Sequence, residues 1–314
     1  MLDLRRLTLL CEFARRGSIA ATAAALGYSA SAVSQQLAAL ERETGTALID
    51  RTSRSAELTD AGHRLVEHGE RILAMVETAE SDLSAHAATP SGRVVITAFP
   101  TAAIAFAPVL ARSLRRHTAL TLRLRQSRSG RGMREVRSGE VDIALVDDWY
   151  GHTARVSDTL RVYPLLRDPL VLVVPRRHPM ADPSNPVDMR RLREEPWMAT
   201  PDGEPSRLAV DRLLAEVGGA QPVTWEFEGL GTILGLVAKG IGIAAVPALA
   251  LAAGVRGIAV RELPGEPITR EVKAVVRGSS VNRPSIAATL RAVHVAARYL
   301  AADLAPVRFS ATDG

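Results

Sequence analysis

The chain has 314 residues, 47% of them hydrophobic and 23% charged, with a formal net charge of +5 and a single cysteine, Cys11. That length holds two or three domains with buried cores, no run of about twenty apolar residues is present to cross a bilayer, and one cysteine excludes an intramolecular disulfide or a cysteine-cluster metal site. The positive charge is no argument for nucleic acid, because the first 90 residues carry nine arginines and no lysine against twelve acids, so any DNA-binding claim rests on where individual residues sit.

Leu4, Leu7, Cys11 and Ala14 recur at three- and four-residue intervals and predict an amphipathic helix with Cys11 in its core stripe. Asp3, Arg5, Arg6 and Glu12 interrupt the apolar core that a signal peptide needs, so a cytoplasmic chain is expected. Gly17-Ser18 ends this helix and caps the next, "IAATAAAL" (19–26), which Gly27 stops. A third helix is predicted from near Ser31 to about Thr44. It turns Val33, Leu37 and Leu40 inward and presents Ser31, Ser34, Gln35 and Ala38 on the opposite face. Two short helices joined by a glycine-containing turn form the helix-turn-helix pattern, whose second helix lies in the major groove. "ALIDRTSRSAELT" (47–59) predicts a two-stranded wing with Arg51 and Arg54 near its tip. A long helix from Thr59 to about Ala87 follows, with Leu65, Ile72, Val76, Ala79 and Leu83 on one face, which calls for a partner helix from a second subunit. "AATPSG" (87–92) is a linker.

Beyond Gly92 the rhythm changes to alternating strands and helices. "RVVITAF", "LTLRLRQ", "VDIALV", "LVLVVP", "WMAT", "VTWEFE" and "IGIAAVP" predict strands. "TAAIAFAPVLARSLRR", "GRGMREVRSG", Asp188–Arg193, "SRLAVDRLLAEVG" and "LGTILGLVAKG" predict helices, and a last helix runs from Pro284 to about Leu304. Alternation of this kind implies a parallel sheet with crossover helices. The strands divide into two lobes near Asp147–Tyr163.

The block "GSIAATAAALGYSASAVSQQLAALERETGTALIDR" with "LTDAG" (58–62), followed in order by "SGEVDIALV" (138–146), "PLLRDPLVLVVPRRHPMA" (164–181) and "LVAKGIGIAAVP" (236–247), closely resembles the LysR-type transcriptional regulators over essentially the whole chain. Departures from the family pattern are Ala30-Ser31 where Gln-Pro is frequent, Thr22 where alanine is common, and a wing lacking Lys or Gly between Arg54 and Leu58. The resemblance implies a winged helix-turn-helix domain over 1–58, a linker and dimerisation helix with hinge over 59–91, a two-lobed α/β effector domain like periplasmic solute-binding proteins over 92–305, and a tail over 306–314. It also implies a homodimer or homotetramer on an inverted repeat of double-stranded DNA, a small-molecule effector between the lobes, and contact with RNA polymerase. No cofactor, metal site or membrane contact is expected.

Within that frame Ser29, Ser31, Ser34, Gln35 and Gln36 are candidate DNA contacts, against the bland reading of a solvated, serine-capped helix face. Serine suits phosphates and several base edges, and Gln35 can pair bidentately with adenine. Arg54 is the wing residue expected at phosphate or minor groove, with Arg51 second or held in a structural ion pair. In the effector domain, Pro100, Thr101 and Ala102 open a helix after the first strand, where exposed amides and a hydroxyl make an anion site; ordinary capping by Thr101 reads equally well. Thr200 occupies the corresponding turn of the second lobe. Ser127 and Asp147 follow strand ends that face the expected cleft. Asp147 and Asp148, if directed inward, favour an effector with an amine or guanidine, and otherwise are solvated hinge residues. The arginines from 123 to 137 read as surface or subunit-interface groups. The histidines show no metal spacing.

Two other function classes compete with a ligand-responsive regulator. A cytoplasmic solute sensor with an accessory N-terminal motif is opposed by residues 1–60. An enzyme is opposed by the lack of a nucleophile elbow, P-loop or dinucleotide fingerprint, since "GRG" (130–132) and "GIG" (240–242) are lone fragments.

Overall fold

The computed structural model describes residues 2–51, 56–85, 89–127, 130–149, 159–216, 223 and 225–304. The chain divides into two compact units, Met1–Ala88 with Gly278–Arg283, and Thr89–Arg277 with Pro284–Gly314.

The first unit begins with three helices, α1 (Leu4–Arg16), α2 (Ile19–Leu26) and α3 (Ala30–Thr44). Each starts where a short polar side chain can satisfy a first-turn amide. Asp3, Ser18 and Ser29 accept from the backbones of Arg5, Ala21 and Ala32 at 2.7, 3.2 and 3.2 Å. Gly27 ends α2 at φ 73°, the left-handed conformation that glycine adopts without strain. Val33, Leu37 and Leu40 point inward, as their spacing predicts, and join Leu10 and Phe13 of α1 in one core. The strands β1 (Ile49–Arg51) and β2 (Ala56–Leu58) pair antiparallel as the wing. Glu41 anchors that wing to α3: its Oε1 accepts from the amides of Leu48 and Ile49 at 2.9 and 3.0 Å. The long helix α4 (Asp60–Ala85) is capped by the Thr59 hydroxyl, which accepts from Gly62 at 3.0 Å. It crosses α1 at Gly69, where an added Cβ would lie 2.9 Å from Leu7 and 3.0 Å from Cys11. Further along α4, Met75 and Leu83 are exposed, as an unpartnered helix face requires.

The second unit is built on a sheet with strands β3 (Gly92–Ala98), β4 (Leu120–Gln126), β5 (Ile143–Asp148), β6 (Leu160–Pro175), β7 (Trp197–Ala199), β8 (Trp225–Glu226), β9 (Ile243–Pro247), β10 (Ile258–Glu262) and β11 (Thr269–Arg277). Its order is β4-β3-β5-β11-β6-β9-β7-β8, with β10 also paired to β6. The helices are α5 (Pro100–Leu114), α6 (Gly132–Arg137), α7 (Met189–Leu192), α8 (Pro205–Glu216), α9 (Leu230–Ala238) and α10 (Pro284–Leu304). One lobe groups β3, β4, β5 and β11 with α5, α6 and α10; the other groups β7, β8, β9 and β10 with α7, α8 and α9.

Two expectations need correction. The sheet is mixed rather than parallel. The β3–β4, β3–β5, β7–β8 and β7–β9 pairs are parallel, but β11 runs antiparallel to β5 and β6, and β6 antiparallel to β9 and β10. The strands β10 and β11, which the sequence reading does not identify, account for three of these antiparallel pairs, β11 returning the chain to lie between β5 and β6. The lobe boundary also lies beyond Tyr163. Strand β6 starts at Leu160, pairs with β11 through Pro169, then pairs with β9 from Leu170. The lobes are therefore joined through a continuous strand.

Candidate functional sites

On the first unit the exposed face of α3 carries Ser31, Gln35 and Gln36, with Ser34 half-buried and Ser29 exposed at the N-cap. The capping reading holds for Ser29. Ser29 caps the helix and its hydroxyl lies 3.0 Å from that of Ser31, yet both remain open to solvent. Gln36 is partly engaged, since its Oε1 accepts from Nε of Arg6 on α1 at 2.9 Å, while Arg6 also pairs with Glu43. Gln35 stands beside it as the long amide on the exposed face. Arg51 lies in β1 opposite Ala56; Arg54 falls outside the described residues. Thr22 is fully buried and its hydroxyl donates to the Ser18 carbonyl at 2.8 Å, so this departure from the family pattern does not face a groove. A residue that the sequence reading does not single out, Tyr28, is 56% exposed in the turn between α2 and α3.

Cys11 belongs to the core of the same unit. Burial pushes its thiol up to about 11, with the nearby Arg15 opposing, so the thiolate that would react with oxidants is scarce at neutral pH.

The second unit contains a cavity of about 380 Å³ between its lobes, within the roughly 300–1,000 Å³ usual for small-molecule sites. Pro100, Thr101, Ser127, Asp147 and Thr200 line it, as expected from strand-end and helix-start positions. Ala102 does not; it is fully buried behind the first turn of α5. Ser127 donates to Glu135 at 3.1 Å, and the Thr200 and Ser206 hydroxyls are 2.8 Å apart at the start of α8. Asp147 and Asp148 diverge, as neighbours on a strand do. Asp147 faces the cleft, and Asp148 is held 2.8 Å from Lys273 on β11. Burial opposes the charge on Lys273, but its hydrogen bonds to Asp148 and Glu271 prevail and raise its pKa.

At the back of the cavity sits another residue that the sequence reading does not single out. Arg270 of β11 is 3% exposed. Its Nη1 donates to Asp147 at 3.1 Å, its Nη2 to Thr101 at 2.7 Å, and its Nε to Asp168 at 2.9 Å. The ring centroids of Phe99 and Trp149 lie 4.7 and 5.5 Å from the guanidinium carbon, contacts that favour a desolvated cation. Asp168 is completely buried and its other oxygen accepts from the Leu249 amide at 2.9 Å. Burial raises the Asp168 pKa, opposed chiefly by Arg270. A visible signal existed: Asp168 stands directly before the apolar run "PLVLVVP", and buried carboxylates require a cation. Among the described residues no group of three or more metal-ligating side chains is assembled.

Residues 87–298 match the family model described as the LysR substrate binding domain, and residues 4–63 match that of the bacterial regulatory helix-turn-helix proteins, lysR family. A probable RuBisCO transcriptional regulator of Cyanophora paradoxa is 30% identical over 256 residues, covering 80% of this chain and 78% of its own. Among solved structures, a full-length point variant of OxyR from Pseudomonas aeruginosa superposes with a TM-score of 0.71 at 19% identity, over 94% of this chain and 95% of its own. Full-length CbnR complexed with its target DNA gives 0.54 at 22% identity, over 94% and 100%. At these identities the structures establish likeness of fold. No described helix is long and apolar enough to cross a membrane.

Proposed function

The chain belongs to the LysR family of transcriptional regulators, a family of DNA-binding proteins that respond to small molecules, and on that premise we propose how its parts divide the work. Residues 1–58 bind DNA, α4 and the following hinge (59–91) pair two subunits, and 92–305 bind the effector. Each dimer sets two α3 helices into major grooves of an inverted repeat, and two dimers assemble a tetramer. Ser29, Ser31, Ser34, Gln35 and Gln36 meet DNA from α3, with Gln35 reading a base edge and the serines meeting phosphates. Arg51 and Arg54 reach the backbone or minor groove from the wing. The CbnR structure contains its target DNA, which supports this division. The chain acts in the cytoplasm, contacts RNA polymerase and performs no catalysis.

The observation that carries the effector reading is the cavity at Thr101, Asp147 and Thr200, with Arg270 bridging the strands behind it. A ligand there switches the protein only through unequal affinity for two lobe arrangements. The OxyR neighbours include a hydrogen-peroxide-bound form, but this chain's lone cysteine lies in α1, so we place its switch in non-covalent ligand binding. Footprinting on genomic fragments, beginning with DNA adjoining its own gene, tests the reading. A protected inverted repeat with half-sites about one helical turn or a multiple apart is expected; protection of no fragment overturns it.

A further inference from the structure

The charges lining the cleft narrow the class of effector, an inference that rests on the cleft being the effector site. Among its described lining residues Arg270 is the one cation, and Asp147, Glu204 and Glu228 are the carboxylates. Arg270 is already committed to Asp168, Asp147 and Thr101. An entering carboxylate would have to displace Asp147 from it and settle among acids. At two of the helix starts, Glu204 directly before α8 and Glu228 one residue before the Gly229 cap of α9 occupy the positive ends; at the third, the start of α5, the Thr101 hydroxyl is already engaged by Arg270.

A second, independent observation points to a ligand. Trp149 is nine-tenths buried on the cavity wall, and among the described residues its indole Nε1 has no hydrogen-bond partner. An indole N–H only donates, and buried donors are almost always paired, so an acceptor atom belongs in the cavity. Phe99 and Leu230 supply apolar wall beside it.

We propose that the effector is an organic cation, an amine, amidine or guanidine, with its nitrogen toward Glu204 and Glu228, an apolar or aromatic body against Phe99 and Leu230, and a neutral oxygen or nitrogen accepting from Trp149.

Calorimetry on the full-length protein with two probes of equal shape tests this: tyramine, and 3-(4-hydroxyphenyl)propionate, which keeps the ring and hydroxyl but replaces the ammonium by a carboxylate. Tyramine should bind at least tenfold more tightly. The double variant Glu204→Gln with Glu228→Gln should remove most of that preference, and Trp149→Phe should weaken tyramine several-fold. Failure of tyramine to bind, equal or tighter binding of the acid, or a preference unmoved by the double variant overturns the proposal. Gly231→Leu separates the two levels of inference, since a side chain there enters open space at the wall. Tyramine binding that survives Gly231→Leu overturns the cleft as effector site. Loss of both probes in that variant, with the acid preferred by the unaltered protein, overturns the charge class alone.

Discussion

Two nitrogens of Arg270 converge on one oxygen of Asp168, Nη2 at 2.7 Å and Nε at 2.9 Å, with the carboxylate wholly buried. The pair joins strands that are remote in sequence but adjacent in the sheet, β6 and β11. Such a pair is a weak source of net stability but a costly thing to break on one side, because the remaining charge is stranded.

Arg270→Met should therefore destabilise the protein by about 3–5 kcal/mol, read from the denaturant transition of the effector unit. Adding Asp168→Asn should recover part of that loss, since the stranded carboxylate is gone. A double variant as unstable as the sum of the singles would show that the two residues act independently.

The Cys11 thiol gives a prediction in pH. Its pKa of about 11 in the folded chain lies above the ordinary 9.0, so the thiol form is favoured by folding. The stability linked to this group is complete below pH 9 and is lost as pH rises through about 11. At pH 8 the native thiolate fraction should be lower by roughly a hundredfold than in the unfolded chain. Reaction with a thiol reagent at pH 8 should be at least that much slower in native protein than in denaturant; comparable rates would contradict the buried placement.

The helix-turn-helix was legible because its signals are local. Val33, Leu37 and Leu40 report the helix period, and Ser18, Gly27 and Ser29 mark its ends within one turn. The back of the cleft was not legible, because it depends on strand pairing over long separations: Arg270 meets Thr101 169 positions away and Asp147 123 positions away. "TREVKAVVR" shows no clean alternation, with Arg270 and Glu271 adjacent, and so gives no local sign of a strand or of a buried arginine. Only the order of the sheet, with β11 between β5 and β6, turns Arg270 and Lys273 inward to acids. Ala102 is turned from the cavity by the helix itself, since consecutive residues of α5 point about 100° apart.

Glu41 couples the recognition helix to the wing. Its single oxygen Oε1 receives two backbone amides, and hydrogen bonds to a charged group contribute about 1.5–3 kcal/mol each. Glu41→Ala should cost about 2–4 kcal/mol by the same reasoning, and Glu41→Gln, which keeps a neutral acceptor, clearly less. Thermal unfolding ranks the two. Equal losses for Ala and Gln would mean that packing, rather than these amides, sets the role of the side chain.

Gln35 is the sharpest test of the DNA interface, because its neighbour provides an internal control. Gln36 shares its amide oxygen with Arg6, so replacing Gln36 perturbs the helix contact as well as the surface, whereas Gln35 stands exposed on α3. A bidentate contact from Gln35 to adenine would be worth about 1–3 kcal/mol of discrimination. Gln35→Ala should then weaken binding to the footprinted repeat roughly 5- to 150-fold, while binding to scrambled DNA at the same salt hardly changes. Arg54→Ala should instead lower affinity for both DNAs and flatten the salt dependence, because a phosphate contact releases a counterion whatever the sequence. Equal losses on cognate and scrambled DNA for Gln35→Ala would remove Gln35 from base reading and leave it a solvated position on α3.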